Sequence, residues 1–179
     1  MIILIDSNYL GYYHSFKGPL TYNGQQVGII FGFLQSLLSL AKAFDTNRFV
    51  FAWDSRRSLR RIWLPTYKSS RVEGKSTEEK AKRLETFKQF ISLRVEVLPQ
   101  FGFKNIFLKS GYEGDDIIAS VCRDNPEEEI EIVRQIMISG NSFLIIILCM
   151  ILSPRKNTLI LVLKRNGVWN QTIGQGSNP

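Results

Sequence analysis

Short apolar runs alternate with longer stretches of helical spacing in the first half of the chain. Ile2 to Ile5 is a continuous apolar run followed by Asp6, and Phe49 to Trp53 is a second one followed by Asp54. Such runs are typical of strands buried on both faces of a parallel sheet. Between them, Val27 to Phe44 has apolar residues at helical spacing, which predicts a crossover helix and a β-α-β unit.

A second helical pattern begins near Thr77 and ends near Pro99 and Gly102. Its predicted apolar stripe consists of Leu84, Phe87, Ile91, Val95 and Leu98. Phe103 to Leu108 then predicts a third strand, and a further helix is expected to run to about Arg123. The pattern therefore predicts an α/β domain with a central, mostly parallel sheet flanked by helices.

The start of that last helix is rich in acid. Glu113, Asp115 and Asp116 fall within four positions, and no Lys or Arg lies between Tyr112 and Cys122. Carboxylate oxygens in this density are ligands that hard divalent cations such as Mg²⁺ or Mn²⁺ prefer. Acids in the first turn also offset the helix dipole, so the cluster alone fits either interpretation.

The two aspartates that end strands favour the metal interpretation. In an open α/β sheet, ligands gather at the carboxyl ends of the strands. Asp6 and Asp54 are each placed at such an end, and the acidic cluster follows the third strand. We therefore expect five carboxylates from three parts of the chain to converge on one edge of the sheet.

Composition indicates one main domain with an anionic partner. The chain has 179 residues, 44% of them hydrophobic, and a net charge of +7. Residues 48–88 contain twelve Lys and Arg against five Asp and Glu, so this stretch accounts for the whole excess.

The two cysteines, Cys122 and Cys149, have no close Cys or His partner in the sequence. This argues against a zinc site and against disulfides, and it favours a cytoplasmic location. With no signal-like start and no long apolar run, we expect no membrane association.

With these residues placed, the chain resembles the 5′-nuclease family, which includes the 5′-3′ exonuclease domain of bacterial DNA polymerase I, phage 5′-exonucleases and flap endonucleases. The resemblance covers roughly residues 1 to 123. Its motifs are Asp6 with Ser7-Asn8-Tyr9-Leu10, Gly32 to Lys42, Phe51-Ala52-Trp53-Asp54, Tyr67-Lys68-Ser69-Ser70-Arg71 and Gly111 to Ile118.

The resemblance implies a PIN-like domain that cleaves phosphodiester bonds with Mg²⁺ or Mn²⁺, using two ions in an intact family member. It implies DNA with a free 5′ end or flap as substrate, and a basic helical arch over about residues 55–88. The implied catalytic and metal-binding acids are Asp6, Asp54, Glu113, Asp115 and Asp116. Arg60 and Lys68 are expected to orient the scissile phosphate. The implied nucleic-acid contacts are Arg56, Arg57, Arg60, Arg61, Tyr67, Lys68, Arg71 and Lys75.

Some aromatic and polar residues have competing interpretations. Trp63 and Tyr67 could stack on an unpaired base, although packing in the core is the more common use of such residues. His14, the only histidine, is expected to be a surface or packing residue. We infer no obligate protein partner.

The resemblance stops at about Ile132. The family continues with an Asp-x-Asp pair and a helix-hairpin-helix element, whereas the last Asp here is Asp124 and the last Glu is Glu131. Residues 133–179 are therefore predicted to be a divergent tail. One hypothesis is a reading-frame shift near Val133, because codons allowed for Arg134 to Phe143 include Thr-Asp-Asn-Asp-Phe-Trp-Gln-Leu when read from the third base. The alternative is a genuinely truncated paralogue.

Three functions remain open from the sequence. The first is a metal-dependent 5′-3′ exonuclease or flap endonuclease acting in DNA replication or repair. The second is a catalytically impaired nucleic-acid-binding remnant of that family. The third is an RNase of the wider PIN group, because acidic residues and basic charge do not distinguish RNA from DNA.

Overall fold

The structure, a computed structural model, describes residues 1–64, 66–67, 76–134, 145–153, 156–165 and 168–174. The helices are α1 (Ser7–Ser15), α2 (Gly28–Phe44), α3 (Leu59–Trp63), α4 (Thr77–Ser92), α5 (Leu98–Gln100) and α6 (Gly114–Asp124), with a π-helical turn at Leu93–Val97 between α4 and α5. The strands are β1 (Ile2–Asp6), β2 (Thr21–Tyr22), β3 (Gln25–Gln26), β4 (Phe49–Trp53), β5 (Ile106–Leu108), β6 (Ile130–Val133), β7 (Ile145–Ser153), β8 (Lys156–Arg165) and β9 (Val168–Gly174).

The main sheet has the strand order β5-β4-β1-β6-β7-β8-β9. The first four strands in this order are parallel, so the carboxyl ends of β1, β4, β5 and β6 share one edge. The last three strands continue the sheet with antiparallel pairing. The predicted α/β architecture is confirmed, although β5 is three residues long instead of the six that the pattern indicated.

Both faces of the parallel strands are covered, because alternate residues of β1 and β4 enter two separate cores. One core contains Ile3, Ile5, Phe51 and Trp53 and packs against α1, α2 and α4. The other contains Leu4 and packs against α6 through Ile118. The near-continuous apolar composition of β1 and β4 follows from this burial on both faces.

The buried face of α4 differs from the predicted stripe. Leu84, Ile91 and Val95 are exposed, whereas Phe90 and Leu93 enter the core together with the polar side chain of Gln89. The predicted stripe is confirmed at Leu98, which is fully buried, and is wrong at the three exposed positions. α4 packs across the beginning of α2, where backbone N–H groups need an acceptor. The Gln89 side-chain oxygen accepts hydrogen bonds from the N–H groups of Ile29 at 3.0 Å and Ile30 at 3.4 Å.

Close contacts hold α1 between α2 and α4. The Gly11 backbone lies against the Phe90 ring, and the Gly32 backbone lies against the His14 ring, so a Cβ at either glycine would overlap the ring. His14 is buried and hydrogen-bonds through Nε2 to Ser36 Oγ at 2.9 Å. It is therefore a packing residue between α1 and α2, as expected.

Within the part of the chain that the structure describes, no helix is both long and apolar enough to cross a membrane.

Candidate active site

Asp6 and Asp54 lie next to each other at the carboxyl edge of the parallel strands. Asp6 ends β1 and begins α1, where Oδ1 accepts the Tyr9 N–H at 3.0 Å, a common role for aspartate before a helix. Asp6 is paired in register with Ala52, so Asp54 lies two residues further along the neighbouring strand. The Asn8 side-chain oxygen accepts the Asp54 N–H at 3.0 Å, which ties the two strand ends together.

The start of α6 approaches the same edge through a glycine. The Gly114 N–H donates to Asp54 Oδ1 at 2.6 Å. A Cβ at position 114 would lie 3.1 Å from that oxygen, so a side chain there would push the carboxylate away. This hydrogen bond brings Asp54 to the N-terminus of α6, where the helix dipole also favours a negative charge.

Asp6, Asp54 and Asp115 are close enough for their charges to interact. The pKa of Asp6 is raised from 3.8 to about 6: burial is the largest cause, the charges of Asp54 and Asp115 also raise it, and the Tyr9 N–H and Arg134 lower it. An acid with these neighbours loses solvation and meets two like charges when it ionises. The carboxyl edge is therefore a place where a cation would be stabilised.

Glu113 and Asp116 are instead held by an arginine. Arg60 Nη1 donates to Glu113 Oε2 at 2.8 Å, and Arg60 Nη2 donates to Asp116 Oδ1 at 2.5 Å. The Tyr67 hydroxyl also donates to Glu113 Oε2, at 3.1 Å, and the Asp116 side chain accepts the Glu113 N–H at 2.9 Å. A hydrogen bond with Tyr67 and the charges of Asp116 and Glu113 raise the pKa of Arg60, so its positive charge is secure.

A second arginine contacts the remaining acid of the cluster. Arg134 Nη2 donates to Asp115 Oδ2 at 3.1 Å, and Arg134 directly follows β6. Arg134 was not among the site residues predicted from the sequence. The signal was available, because the rule that selected Asp6 and Asp54 as residues at the carboxyl ends of strands applies equally to the residue after Val133.

The five predicted carboxylates thus lie at one edge but divide into two groups. Asp6, Asp54 and Asp115 influence one another, whereas Glu113 and Asp116 share Arg60. Among the residues that the structure describes, no group of three or more His, Cys, Asp or Glu side chains is arranged to hold a metal ion. The expected convergence on one edge of the sheet is observed, but joint use of all five acids by metal needs a movement of side chains, beginning with Arg60.

The predicted nucleic-acid contacts are only partly within the described residues. Arg56 is exposed and lies over the Phe87 ring at 4.2 Å, Arg57 is exposed, and Tyr67 contacts Glu113. Arg61 lies in α3. Lys68, Arg71 and Lys75 lie outside the described residues, as does the middle of the predicted arch.

Trp63 is 77% exposed at the end of α3. This exposure excludes the core-packing interpretation of Trp63 and leaves its indole ring accessible to a ligand.

Hydrogen bonds join the segment that follows β4 to the segment that precedes α6. The Ser55 N–H donates to the Tyr112 carbonyl oxygen at 3.0 Å, and the Leu59 N–H donates to that of Gly111 at 2.8 Å. The Gly111 N–H donates back to Ser55 Oγ at 3.1 Å. Gly111 has a φ of +89°, and a Cβ there would lie 2.9 Å from Leu59 Cγ, so this junction requires glycine. We call it the β4–α6 junction.

The fold and the site together define an α/β domain that gathers carboxylates and arginines at the carboxyl edge of a parallel sheet. A family described as "5′-3′ exonuclease, N-terminal resolvase-like domain" matches residues 1–141, most of the chain. The chain belongs to this family. The match extends beyond the range of roughly residues 1 to 123 over which the motifs indicated the resemblance.

Similar proteins include bacterial DNA polymerases. Thermostable DNA polymerase I of Thermus aquaticus is 28% identical over 134 residues, which is 73% of this chain and 15% of the polymerase. DNA polymerase I of Chloroflexus aurantiacus is 26% identical over 147 residues, 79% of this chain and 14% of the polymerase. The chain therefore spans about one seventh of the length of these relatives.

Solved structures show the same fold. The T5 D15 protein co-crystallised with metal ions matches with a TM-score of 0.59 and 22% identity, over 75% of this chain and 49% of that one. The bacteriophage T5 D15 flap endonuclease in a pseudo-enzyme–product complex with DNA and metal ions matches with a TM-score of 0.56 and 20% identity, over 73% of this chain and 47% of that one.

Proposed function

We propose that this chain is a metal-dependent 5′-3′ exonuclease or flap endonuclease that hydrolyses DNA phosphodiester bonds in replication or repair. The observation that carries the proposal is the gathering of five carboxylates at the carboxyl edge of the sheet, in a chain of the 5′-3′ exonuclease family. Phosphodiester hydrolysis with divalent metal uses carboxylates in this way, and the chain offers no second histidine that could serve as a base.

The donor set fits Mg²⁺ or Mn²⁺, because every acid in it supplies hard oxygen ligands. Burial is the largest cause of the raised pKa of Asp6, and the charges of Asp54 and Asp115 add to it, so a divalent cation at this edge would stabilise the ionised carboxylate. Asp6, Asp54 and Asp115 would hold the first ion, with Glu113 and Asp116 available once Arg60 leaves them. Bound metal supplies a nucleophilic water and stabilises the leaving oxygen, and two ions would divide these tasks.

The positive residues fit an extended polyanion. Arg60 stands beside the acids, where it can orient the scissile phosphate, and we assign the same role to Lys68. Arg56, Arg57 and Arg61 follow Asp54 closely in the sequence and supply positive charge for contacts with phosphates. Trp63 is exposed enough to stack on an unpaired base. We propose DNA with a free 5′ end or flap as substrate, no obligate protein partner, and a cytoplasmic location.

A labelled 5′-flap duplex tests the proposal. The wild-type chain should cut it with Mg²⁺ or Mn²⁺ and not with EDTA, and Asp115→Asn should reduce cutting by at least about a hundredfold, several kcal/mol of barrier. Asp124→Asn is the matched control, because Asp124 is an exposed acid at the far end of the same helix. Equal cutting by both variants would overturn the assignment of the site.

Two observations favour a second candidate, a nucleic-acid-binding remnant without turnover. Arg60 holds two of the five acids, and no acidic residue follows Glu131 in the sequence. A remnant would bind the flap duplex with the salt dependence of phosphate contacts and leave it intact under every metal condition. A flap made of ribonucleotides, tested in parallel, separates DNA cleavage from the RNase alternative.

A further inference from the structure

Arg60 occupies oxygens that a divalent cation would need. Its two terminal nitrogens contact different acids, Glu113 at 2.8 Å and Asp116 at 2.5 Å, so one guanidinium bridges both carboxylates. A planar guanidinium has the fork geometry for this contact, which a lysine ammonium lacks. The bridging arginine gives these acids a positive partner without any metal.

The contact is built so that it can be exchanged. The Arg60 side chain is 41% exposed, whereas that of Glu113 is 10% exposed and that of Asp116 is 30% exposed. The arginine can therefore move towards solvent without exposing the core, while the two acids keep their other hydrogen bonds. The Glu113 N–H donates to Asp116, and the Tyr67 hydroxyl donates to Glu113, so both carboxylates keep a partner after Arg60 leaves.

We infer that Arg60 is an internal counter-cation that competes with the divalent metal for Glu113 and Asp116, and that metal binding releases it towards the substrate phosphate. The inference rests on the proposed metal-dependent function and adds a regulatory step to it. A single positive charge neutralises two carboxylates only in part, so an ion of charge two displaces it when present at sufficient concentration. The released guanidinium would then need another anion, which a phosphate supplies.

Metal affinity measured without DNA tests the competition. Mn²⁺ binding to the whole chain is measured from the spectroscopic signal of the free ion. The affinities of the wild type, Arg60→Gln and Arg60→Lys are compared at fixed ionic strength. Arg60→Gln should bind Mn²⁺ about fivefold more tightly, as expected from the loss of two competing, partly exposed ion pairs. Arg60→Lys should give a smaller gain, because lysine keeps the charge but cannot bridge both acids.

Arg48→Gln is the matched control. Arg48 also uses both terminal nitrogens, in a bidentate ion pair with the single carboxylate of Glu128 at 3.0 and 2.8 Å. It lies before the amino end of β4. Five strand residues, about 17 Å, separate it from the metal edge, which exceeds the screening length of about 8 Å at physiological salt. The Mn²⁺ affinity of Arg48→Gln should therefore stay within about a factor of two of that of the wild type.

The outcomes separate this inference from the proposed function. Tighter binding by Arg60→Gln and unchanged binding by Arg48→Gln support the competition. Unchanged or weaker binding by Arg60→Gln, with Mn²⁺ bound by the wild type, overturns the competition and leaves the metal-dependent function standing. Absence of Mn²⁺ binding in both wild type and Arg60→Gln overturns the metal site and the inference together. Circular dichroism of each variant confirms that it is folded.

The release step has its own measurement. Affinity for a short 5′-phosphorylated oligonucleotide is determined in EDTA and in Ca²⁺ for the wild type and Arg60→Gln. If Ca²⁺ frees the arginine for phosphate, the gain in affinity on adding Ca²⁺ is larger in the wild type, because the two ligands are then coupled through Arg60. An equal gain in both proteins overturns the release step.

Discussion

Replacing Asp6 with asparagine should make the metal-free protein more stable at neutral pH, although it removes a proposed metal ligand. The ionised Asp6 carboxylate is buried and meets the charges of Asp54 and Asp115. Asparagine has nearly the same shape, and its side-chain oxygen can accept the Tyr9 N–H that Asp6 accepts now. The substitution therefore removes the charge and keeps the helix cap.

The magnitude follows from the pKa of Asp6. A rise from 3.8 to about 6 means that the folded state binds the proton more tightly than the unfolded state does. The stability that this proton contributes is fully present below pH 3.8 and is lost as the pH rises through 6. At about 1.4 kcal/mol per tenfold change in acid constant, the ionised side chain costs ~3 kcal/mol at pH 8. Asp6→Asn should recover that amount at pH 8 and about half of it at pH 5.

Thermal unfolding in EDTA measures the effect. A gain of ~3 kcal/mol in a chain of this size corresponds to a rise in Tm of about 6–12 °C at pH 8, with a smaller rise at pH 5. Glu127→Gln removes an exposed negative charge and is the control, expected to change stability by less than about 0.5 kcal/mol. Added Mg²⁺ should then raise the Tm of the wild type more than that of Asp6→Asn, because only the wild type keeps the ligand.

The opposite change in stability would contradict this prediction. If Asp6→Asn is less stable than the wild type at pH 8 without metal, burial and repulsion do not destabilise the Asp6 carboxylate, and the concentration of negative charge at this edge has been misjudged.

Three further substitutions test the packing around this edge. Gly11→Ala should cost about 1–3 kcal/mol in urea unfolding, because its methyl group would overlap the Phe90 ring, and adding Phe90→Leu should restore part of the loss. Gln89→Met should cost about 1–3 kcal/mol by leaving two N–H groups of α2 without their acceptor, whereas Gln89→Glu should cost less because it keeps an acceptor oxygen. Trp63→Ala should leave stability within about 0.5 kcal/mol yet weaken binding of single-stranded DNA by about 1–3 kcal/mol, read by fluorescence anisotropy of a labelled oligonucleotide. A loss of stability without a loss of DNA affinity would show that Trp63 has a structural role.

The sequence predicted the parallel sheet because its strands are buried on both faces. Ile2 to Ile5 and Phe49 to Trp53 are continuous apolar runs, and the aspartate after each run follows from the chemistry of strand ends. The face of α4 was not predictable in the same way. That helix carries apolar residues on both sides, and its burial is decided by Gln89, a polar residue whose partner lies sixty positions earlier in the chain.

Contacts between charged residues that are far apart in the chain were also not predicted from the sequence. Arg60 and Asp116 are separated by 56 positions, and nothing in their local pattern indicates that an arginine predicted to face DNA would bridge two predicted metal ligands. The strands β7 and β8 were missed for a different reason. Their Ile- and Leu-rich segments lack the alternation that marks a strand with one solvated face, so periodicity carried no signal. The boundary of the tail at residue 132 and the frameshift hypothesis remain predictions, which the nucleotide sequence around Val133 would decide.

The β4–α6 junction has a consequence for how this domain can vary. Because hydrogen bonds fix residues 55–59 against residues 111–112, the end of β4 and the start of α6 are held together independently of the residues that follow α3. We therefore expect changes in the length of the sequence between Lys68 and Lys75 to leave the positions of Asp54 and Glu113 unchanged.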